Sequence, residues 1–308
     1  MLTLNRTAVG LTRASIKQKR RPTRPPLLMP SRRPSVTKSP SPKLIIDFDE
    51  IEQWGPELGR ALTPHVSQDV ISKIARSNPE FVEDARDLLF ALTDREAVID
   101  AALTWIKSGI VMAYHGTRLT AEDVQSVHAR GLVPLKAIDR AARLERALSK
   151  HPDWVTKRNE LPRVLENLGL RNMGGHREGQ VHLTLSRAGL LCGFNHYLTH
   201  GAEFDQHAAQ QLLGDDGEAL LEKDGKKTLV QVRLTGICAL DACHPYFSIE
   251  ALRERGNVPN FVNECLKAWS FQLAHPQFKS KSLRADCGFV FRDAVPPDWI
   301  ESVKILPD

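Results

Sequence analysis

The chain has 308 residues, 42% hydrophobic and 26% charged, which allows one large domain or two small ones around a buried core. No apolar run approaches the roughly 18–20 residues of a membrane-spanning helix, and with no long apolar run or small-residue cleavage site after the basic N-terminus a conventional secretory signal is not expected. The five cysteines (Cys192, Cys238, Cys243, Cys265 and Cys287) are odd in number and lack CxxC spacing. That supports neither a disulfide scaffold nor a cysteine zinc site, and points to a reducing, cytoplasmic setting.

The net charge of +5 is unevenly spread. Residues 1–43 hold 11 Lys/Arg and no Asp/Glu, while the remaining 265 residues hold 31 Lys/Arg against 37 Asp/Glu. The body is therefore mildly acidic, which argues against a nucleic-acid-binding face. Seven prolines lie between Pro22 and Pro42, and so basic and proline-rich a segment cannot bury enough surface to order itself. Residues 1–43 are expected to be a disordered tail, either a solvated extension or a non-cleaved export address.

From Leu44 the pattern turns helical, with Phe48, Ile51, Trp54 and Leu58 at helix spacing and Val70, Ile71 and Ile74 after them. FVEDARDLLFALTD and REAVIDAALTWIKSG predict two further helices, the first opened by Asn78-Pro79 and the second ended by Gly109. IVMAYHG predicts a buried strand. TAEDVQSVHARGL predicts a helix with Thr120 as N-cap, Asp123 at the third position and Gly131 past its end. Helices follow over RAARLERALSK and PRVLENLG, then the glycine-rich loop NMGGHREG and the strand QVHLTL. One apolar helix is expected from Ser186 to about Tyr197, then a strand TLVQVRLT, a helix VNECLKAWSFQLA, and a strand CGFVFRD closed by Val295-Pro296-Pro297. Strands and helices mix without regular alternation, which predicts an α+β fold.

There is no phosphate-binding P-loop, no GxGxxG after a strand, no HExxH and no GxSxG. His196 and His200 have the i, i+4 spacing of two metal ligands, but no third ligand stands nearby, and no metal site is expected. The informative piece is Tyr114-His115-Gly116-Thr117-Arg118 at the end of a predicted buried strand. A strand-end histidine beside a glycine sets a side-chain hydrogen-bonding group next to backbone that a planar ligand can approach.

About fifteen residues later comes GLVPL, then QVHLTL, then a helix with Gly193, Phe194 and Tyr197, and finally a strand and DAVPPDWIESVKI. This order resembles the ADP-ribosyltransferase superfamily, the fold shared by poly(ADP-ribose) polymerases, diphtheria-type toxins and tRNA 2′-phosphotransferases. The resemblance covers roughly residues 110–308. It implies an ADP-ribosyltransferase-like split β-sheet core with flanking helices over residues 109–308, preceded by a helical region over 44–108. It also implies that NAD is a substrate, not a redox cofactor, and that no metal is required.

Carried over residue by residue, the resemblance places a ribose hydrogen bond on His115 and the nicotinamide carboxamide on the Gly116 backbone, with Tyr114, Thr117 and Arg118 completing that strand end. His182 falls at the family's first aromatic position and Phe194 near its second, so the nicotinamide ring would lie between them, with Tyr197 on the same helix. Thr184 and Ser186 share the strand face of His182 and are the positions that Ser/Thr-bearing members use. The family's late catalytic glutamate falls at Cys287 or Asp286, where this chain has no glutamate. Asp286 would serve with a small register shift; Glu203 and Glu264 are the other acids that could enter the site. NAD cleavage passes through an oxocarbenium-like transition state that a carboxylate stabilises, by analogy with sugar hydrolysis.

The expected activity is cleavage of NAD at the nicotinamide–ribose bond with transfer of ADP-ribose to a macromolecular acceptor, protein or nucleic acid. The context is that of a toxin, an effector delivered into another cell or a phage-defence protein, with a host target or an antitoxin as partner. A tRNA 2′-phosphotransferase-like enzyme is the alternative within the fold; it would grip phosphate with Arg118, Arg140, Arg177 or Arg187. From another class, the chain is a catalytically inactive NAD-binding interaction module.

Overall fold

Phe48, Trp54, Leu58, Val111, Val230 and Trp269 meet in one hydrophobic core, so the segment over 44–108 packs with the sheet and not as a body apart. The computed structural model describes residues 44–134, 136–168 and 179–307. The expected disordered tail over 1–43 and most of NMGGHREG, with Arg177, lie outside the described residues. The fold is α+β, built on one six-stranded sheet. Among the described residues no helix is long and apolar enough to cross a membrane.

A two-residue strand β1 (Ile45–Ile46) pairs in parallel with Ile110 and Val111. The helices α1 (Ile51–Leu62), α2 (Gln68–Ser77), α3 (Val82–Leu92) and α4 (Arg95–Ser108) follow. On α1 the residues Ile51, Trp54, Leu58 and Leu62 form a buried stripe at spacings of three and four. Phe48 belongs to that core but lies in the turn before α1, not in a helix. Asn78 does not open α3; it closes α2 in a left-handed conformation (φ 47°), which its short polar side chain tolerates. Asp84 caps α3, accepting the Phe81 N–H at 3.1 Å.

The central strand β2 (Ile110–Leu119) leads into α5 (Ala121–Arg130), opened by the expected reciprocal cap between Thr120 and Asp123. Gly131 ends α5 at φ 74°, and a Cβ there would lie 1.8 Å from the Val295 carbonyl oxygen, so only glycine lets Leu132 bridge to Val295. The helices α6 (Ala137–Leu148), α7 (Trp154–Lys157) and α8 (Leu161–Leu168) precede β3 (Val181–Thr184). The single helix expected over 186–197 is two: α9 (Arg187–Cys192) and α10 (His196–Thr199). The Gly193 and Phe194 amides both turn back to the Gly189 carbonyl and end α9 there.

Next come α11 (Glu203–Leu213), α12 (Asp215–Leu221), β4 (Lys226–Thr235), α13 (Gly236–Ala242), α14 (Ile249–Glu254), α15 (Asn260–Ala274), β5 (Gly288–Phe291) and β6 (Ile300–Ile305). The sheet order is β5-β3-β2-β4-β6, antiparallel throughout, with β1 beside β2. Alternate residues of β2 face opposite ways: Val111 and Ala113 enter the main core, while Met112 and Tyr114 pack with Leu190 of α9 in a smaller cluster. A third cluster, with Leu144, Leu165, Phe204 and Leu212, holds α6, α8, α11 and α12 together.

Candidate functional site

Among the described residues β2 and β3 share one backbone pairing, Tyr114 opposite Thr184. Leu185 sends its N–H to the Cys287 carbonyl at 2.9 Å, so Thr184, one residue earlier, turns its amide toward β2. By the same alternation Gly116, two residues past Tyr114, turns its N–H and C=O toward β3, where the continued register would set His182. Among the described residues no ladder forms there. The His115 side chain takes the place of the ladder, Nδ1 donating to the His182 carbonyl at 2.8 Å. A carbonyl can only accept, so Nδ1 carries the proton and Nε2 keeps its lone pair. Burial pushes the imidazole pKa below its ordinary value; the His182 bond opposes this and Arg140 adds to it, so the ring is neutral at pH 7.

A two-lobed cleft opens at this splay. The first lobe, about 290 Å³, lies on the Tyr114 side of the sheet, under Leu190 and Phe194. The second, about 200 Å³, runs past Thr117 and Val181 to the Leu132–Pro134 segment and Arg140. His115, Gly116, His182, Tyr197 and Glu203 line both lobes. Between them the lobes reach the size range of small-molecule sites, roughly 300–1,000 Å³. Gly116 is closely packed: a Cβ there would lie 3.0 Å from Leu190 Cδ2 and 3.3 Å from Leu198 Cδ2, so both leucines would have to give way slightly.

Thr184 Oγ1 is buried on the first lobe and has no hydrogen-bond partner among the described residues, a polar atom that a bound ligand could satisfy. The His182 ring donates through Nε2 to the Gln180 side-chain oxygen at 3.0 Å. Two acids reach this lobe. Asp286, just before β5, is exposed and has no side-chain partner among the described residues. Glu203, the first residue of α11, accepts from the Tyr197 hydroxyl at 2.7 Å and lies 3.3 Å from His196 Nε2. A helix N-terminus favours the negative charge there. Glu264 lines neither lobe; it pairs with Lys267 on α15.

Three of the residues singled out in the sequence are used elsewhere. Arg118 is buried, and its guanidinium spans the carbonyls of Leu198 (3.3 Å), Asp224 (3.4 Å) and Gly225 (2.8 Å), away from both lobes. Ser186 leaves the strand face of His182 and caps α9, accepting the Gly189 N–H and donating to Asp49 at 2.7 Å. The Tyr114 ring lines the cleft, but its hydroxyl donates to Asp47 at 2.7 Å, and burial together with that carboxylate pushes the phenol pKa far up.

Arg140 reaches the second lobe, held in a two-bond fork by the buried Asp205. Arg187 pairs with Glu50 and stands over the Tyr114 ring. His196 and His200 have separate carboxylates, Glu203 and Glu222. Among the described residues no three His, Cys, Asp or Glu are placed to hold a metal ion. His196 and Gln180 are further cleft residues; the partner of His196 lies across a break between helices, where spacing carries no signal, whereas Gln180 meets His182 two residues along the strand segment QVHLTL.

Comparison of the chain with protein-family models, curated proteins and solved structures finds no match.

Proposed function

We propose that this cleft binds NAD and cleaves it at the nicotinamide–ribose bond, passing ADP-ribose to an acceptor, in the manner of the ADP-ribosyltransferase fold. The observation that carries this reading is the splay at His115–Gly116. There a neutral imidazole with its Nε2 lone pair directed away from the His182 bond stands next to backbone that neighbouring β3 leaves uncovered. A carboxamide needs one acceptor and one donor side by side, which the Gly116 C=O and N–H supply. A ribose hydroxyl would donate to His115 Nε2. Phe194 and His182 supply ring faces for the nicotinamide in the first lobe, and the unpartnered Thr184 hydroxyl is a further polar contact.

In the reaction the bond between ribose C1′ and the nicotinamide nitrogen breaks, and both its electrons leave with the nitrogen, which becomes neutral. Positive charge then grows on the ribose. Asp286, which lines the first lobe and has no side-chain partner among the described residues, would be the carboxylate that stabilises that charge. Its position before β5, next to β3, is where the resemblance expects the late acid.

The phosphotransferase alternative draws less support. Of its described candidate arginines only Arg140 lines the cleft, and Asp205 already holds it. The experiment is nicotinamide release from NAD by the full chain and by Asp286→Asn. The reading expects steady release by the wild type and loss of on the order of 100-fold or more in the variant, with NAD still bound. NAD binding without turnover by the wild type would establish the non-catalytic module instead.

A further inference from the structure

We infer that His196 is the base that takes the proton of an incoming hydroxyl acceptor, with Glu203 as its orienting carboxylate; this rests on the NAD reading above. Glu203 is fixed from two sides, by the Tyr197 hydroxyl at 2.7 Å and by its place at the start of α11. Its Oε1 stands 3.3 Å from His196 Nε2. A carboxylate only accepts, so Nε2 carries the proton and Nδ1 keeps a lone pair, for which the described residues offer no partner. A carboxylate that fixes one ring nitrogen and leaves the other free to accept is the arrangement of a general base.

The position suits an acceptor that arrives from solvent. His196 lines the first lobe yet its side chain is 40% exposed, at the rim, whereas Thr184 and Gly116 lie deep. The other titratable groups on that lobe are His115 from β2, His182 from β3, Tyr114, Tyr197, Glu203 and Asp286. Among the described residues no lysine or arginine lines it, so a proton taken by His196 meets the carboxylates of Glu203 and Asp286.

The step balances as follows. The acceptor oxygen gives a lone pair to ribose C1′ as the C1′–nitrogen bond breaks, its proton passes to His196 Nδ1, and Glu203 compensates the imidazolium until the proton is lost to water. Such a base is needed by a hydroxyl and is superfluous for a carboxylate acceptor, which is already ionised at pH 7. The base therefore selects an acceptor that must shed a proton, of which a hydroxyl is the simplest.

The test uses the full chain, NAD, and methanol as the hydroxyl probe, with nicotinamide and methyl ADP-ribose measured separately. His196→Gln should lower kcat at pH 7 by about 100-fold, the usual contribution of a positioned base. KM for NAD should change by no more than about twofold, since only a step after binding is lost. The kcat profile should change shape on its acid side, and added imidazole should restore rate to His196→Ala. An active wild type with His196→Gln unchanged in kcat and pH profile overturns this assignment alone. A wild type that releases no nicotinamide overturns the NAD reading and the assignment with it.

Discussion

Asp49 grips Ser186 from 137 positions away, its Oδ1 accepting the serine hydroxyl at 2.7 Å while its Oδ2 accepts the Ala188 N–H at 2.7 Å. Both residues are buried. The turn before α1 thus sets the start of α9, whose Leu190 lies against Gly116. Asp49→Ala would strand a buried hydroxyl and a helix N–H, and should cost about 3 kcal/mol, because hydrogen bonds to charged groups contribute ~1.5–3 kcal/mol each and their loss is not fully additive. Urea unfolding measures it. Asp49→Asn, which can still accept one bond, should lose less; equal loss would show that charge, not bonding, holds α9.

His115 links the cleft to acid stability. Burial lowers its pKa in the folded chain, while the unfolded chain takes up a proton near the ordinary value of about 6.5. Between those two values the unfolded state binds more protons, so stability rises with pH through that window. The contribution is whole above about 6.5 and is lost as the pH falls toward the folded value. The difference in urea midpoint between pH 7.5 and pH 5 should therefore be smaller in His115→Gln than in the wild type. Asp47, whose pKa burial raises, acts in the opposite sense at more acid pH and is common to both proteins. An unchanged difference would mean that His115 takes up its proton alike in the folded and unfolded chains.

Gly116→Ala tests whether the cleft tolerates a single methyl. The new Cβ meets Leu190 Cδ2 at 3.0 Å and Leu198 Cδ2 at 3.3 Å, both ends of side chains that can shift. The expected cost is about 1 kcal/mol, the low end of overpacking. NAD turnover should fall more than stability does, on the order of 100-fold, since a displacement of about 1 Å in the site carries that penalty. Thermal unfolding and nicotinamide release, measured together, separate the two effects.

The arginines of α6 divide unequally. Arg140 makes a fork on Asp205 and Arg146 another on Asp224, at 3.1 and 3.0 Å. Arg143 sits between them, 3.5 Å from Asp205 and 3.6 Å from Asp224, with Nε and Nη2 buried and without hydrogen-bond partners. Arg140→Met should cost about 3–5 kcal/mol by leaving Asp205 poorly compensated. Arg143→Met leaves both forks intact and should fall within about 1 kcal/mol of the wild type or stabilise it. Denaturant midpoints compare the two, and equal losses would show that Arg143 is the hub of the network.

Local signals carried much of this fold. The cap formed by Thr120 and Asp123, the stripe of Ile51, Trp54 and Leu58, and the strand around His115 are written within a few residues of themselves. What escaped depends on distant partners. Ser186 continues the alternation of QVHLTL, and only Asp49 turns it into a helix cap. Arg118 ends a binding motif by position, but carbonyls from 198, 224 and 225 claim it. The strand β6 passed as a closure after Pro296-Pro297 because its residues are half exposed and pair on one side only, with β4. In the site, the pairing of Glu203 with His196 spans a break between two helices, where no periodicity survives.

The pairing of β2 with β4 sets a condition on synthesis. Ile110 lies opposite Thr235, so the longest edge of the central strand waits for more than a third of the chain to be made before it is covered. At about 5–20 residues per second a ribosome needs on the order of ten seconds for that stretch. During this interval Ile110-Val111-Met112-Ala113-Tyr114, apolar and uncharged, is an open template for other strands. The yield of folded protein then depends on how that edge is shielded while the chain is still nascent, and slowing initiation should raise it more than any gain in final stability.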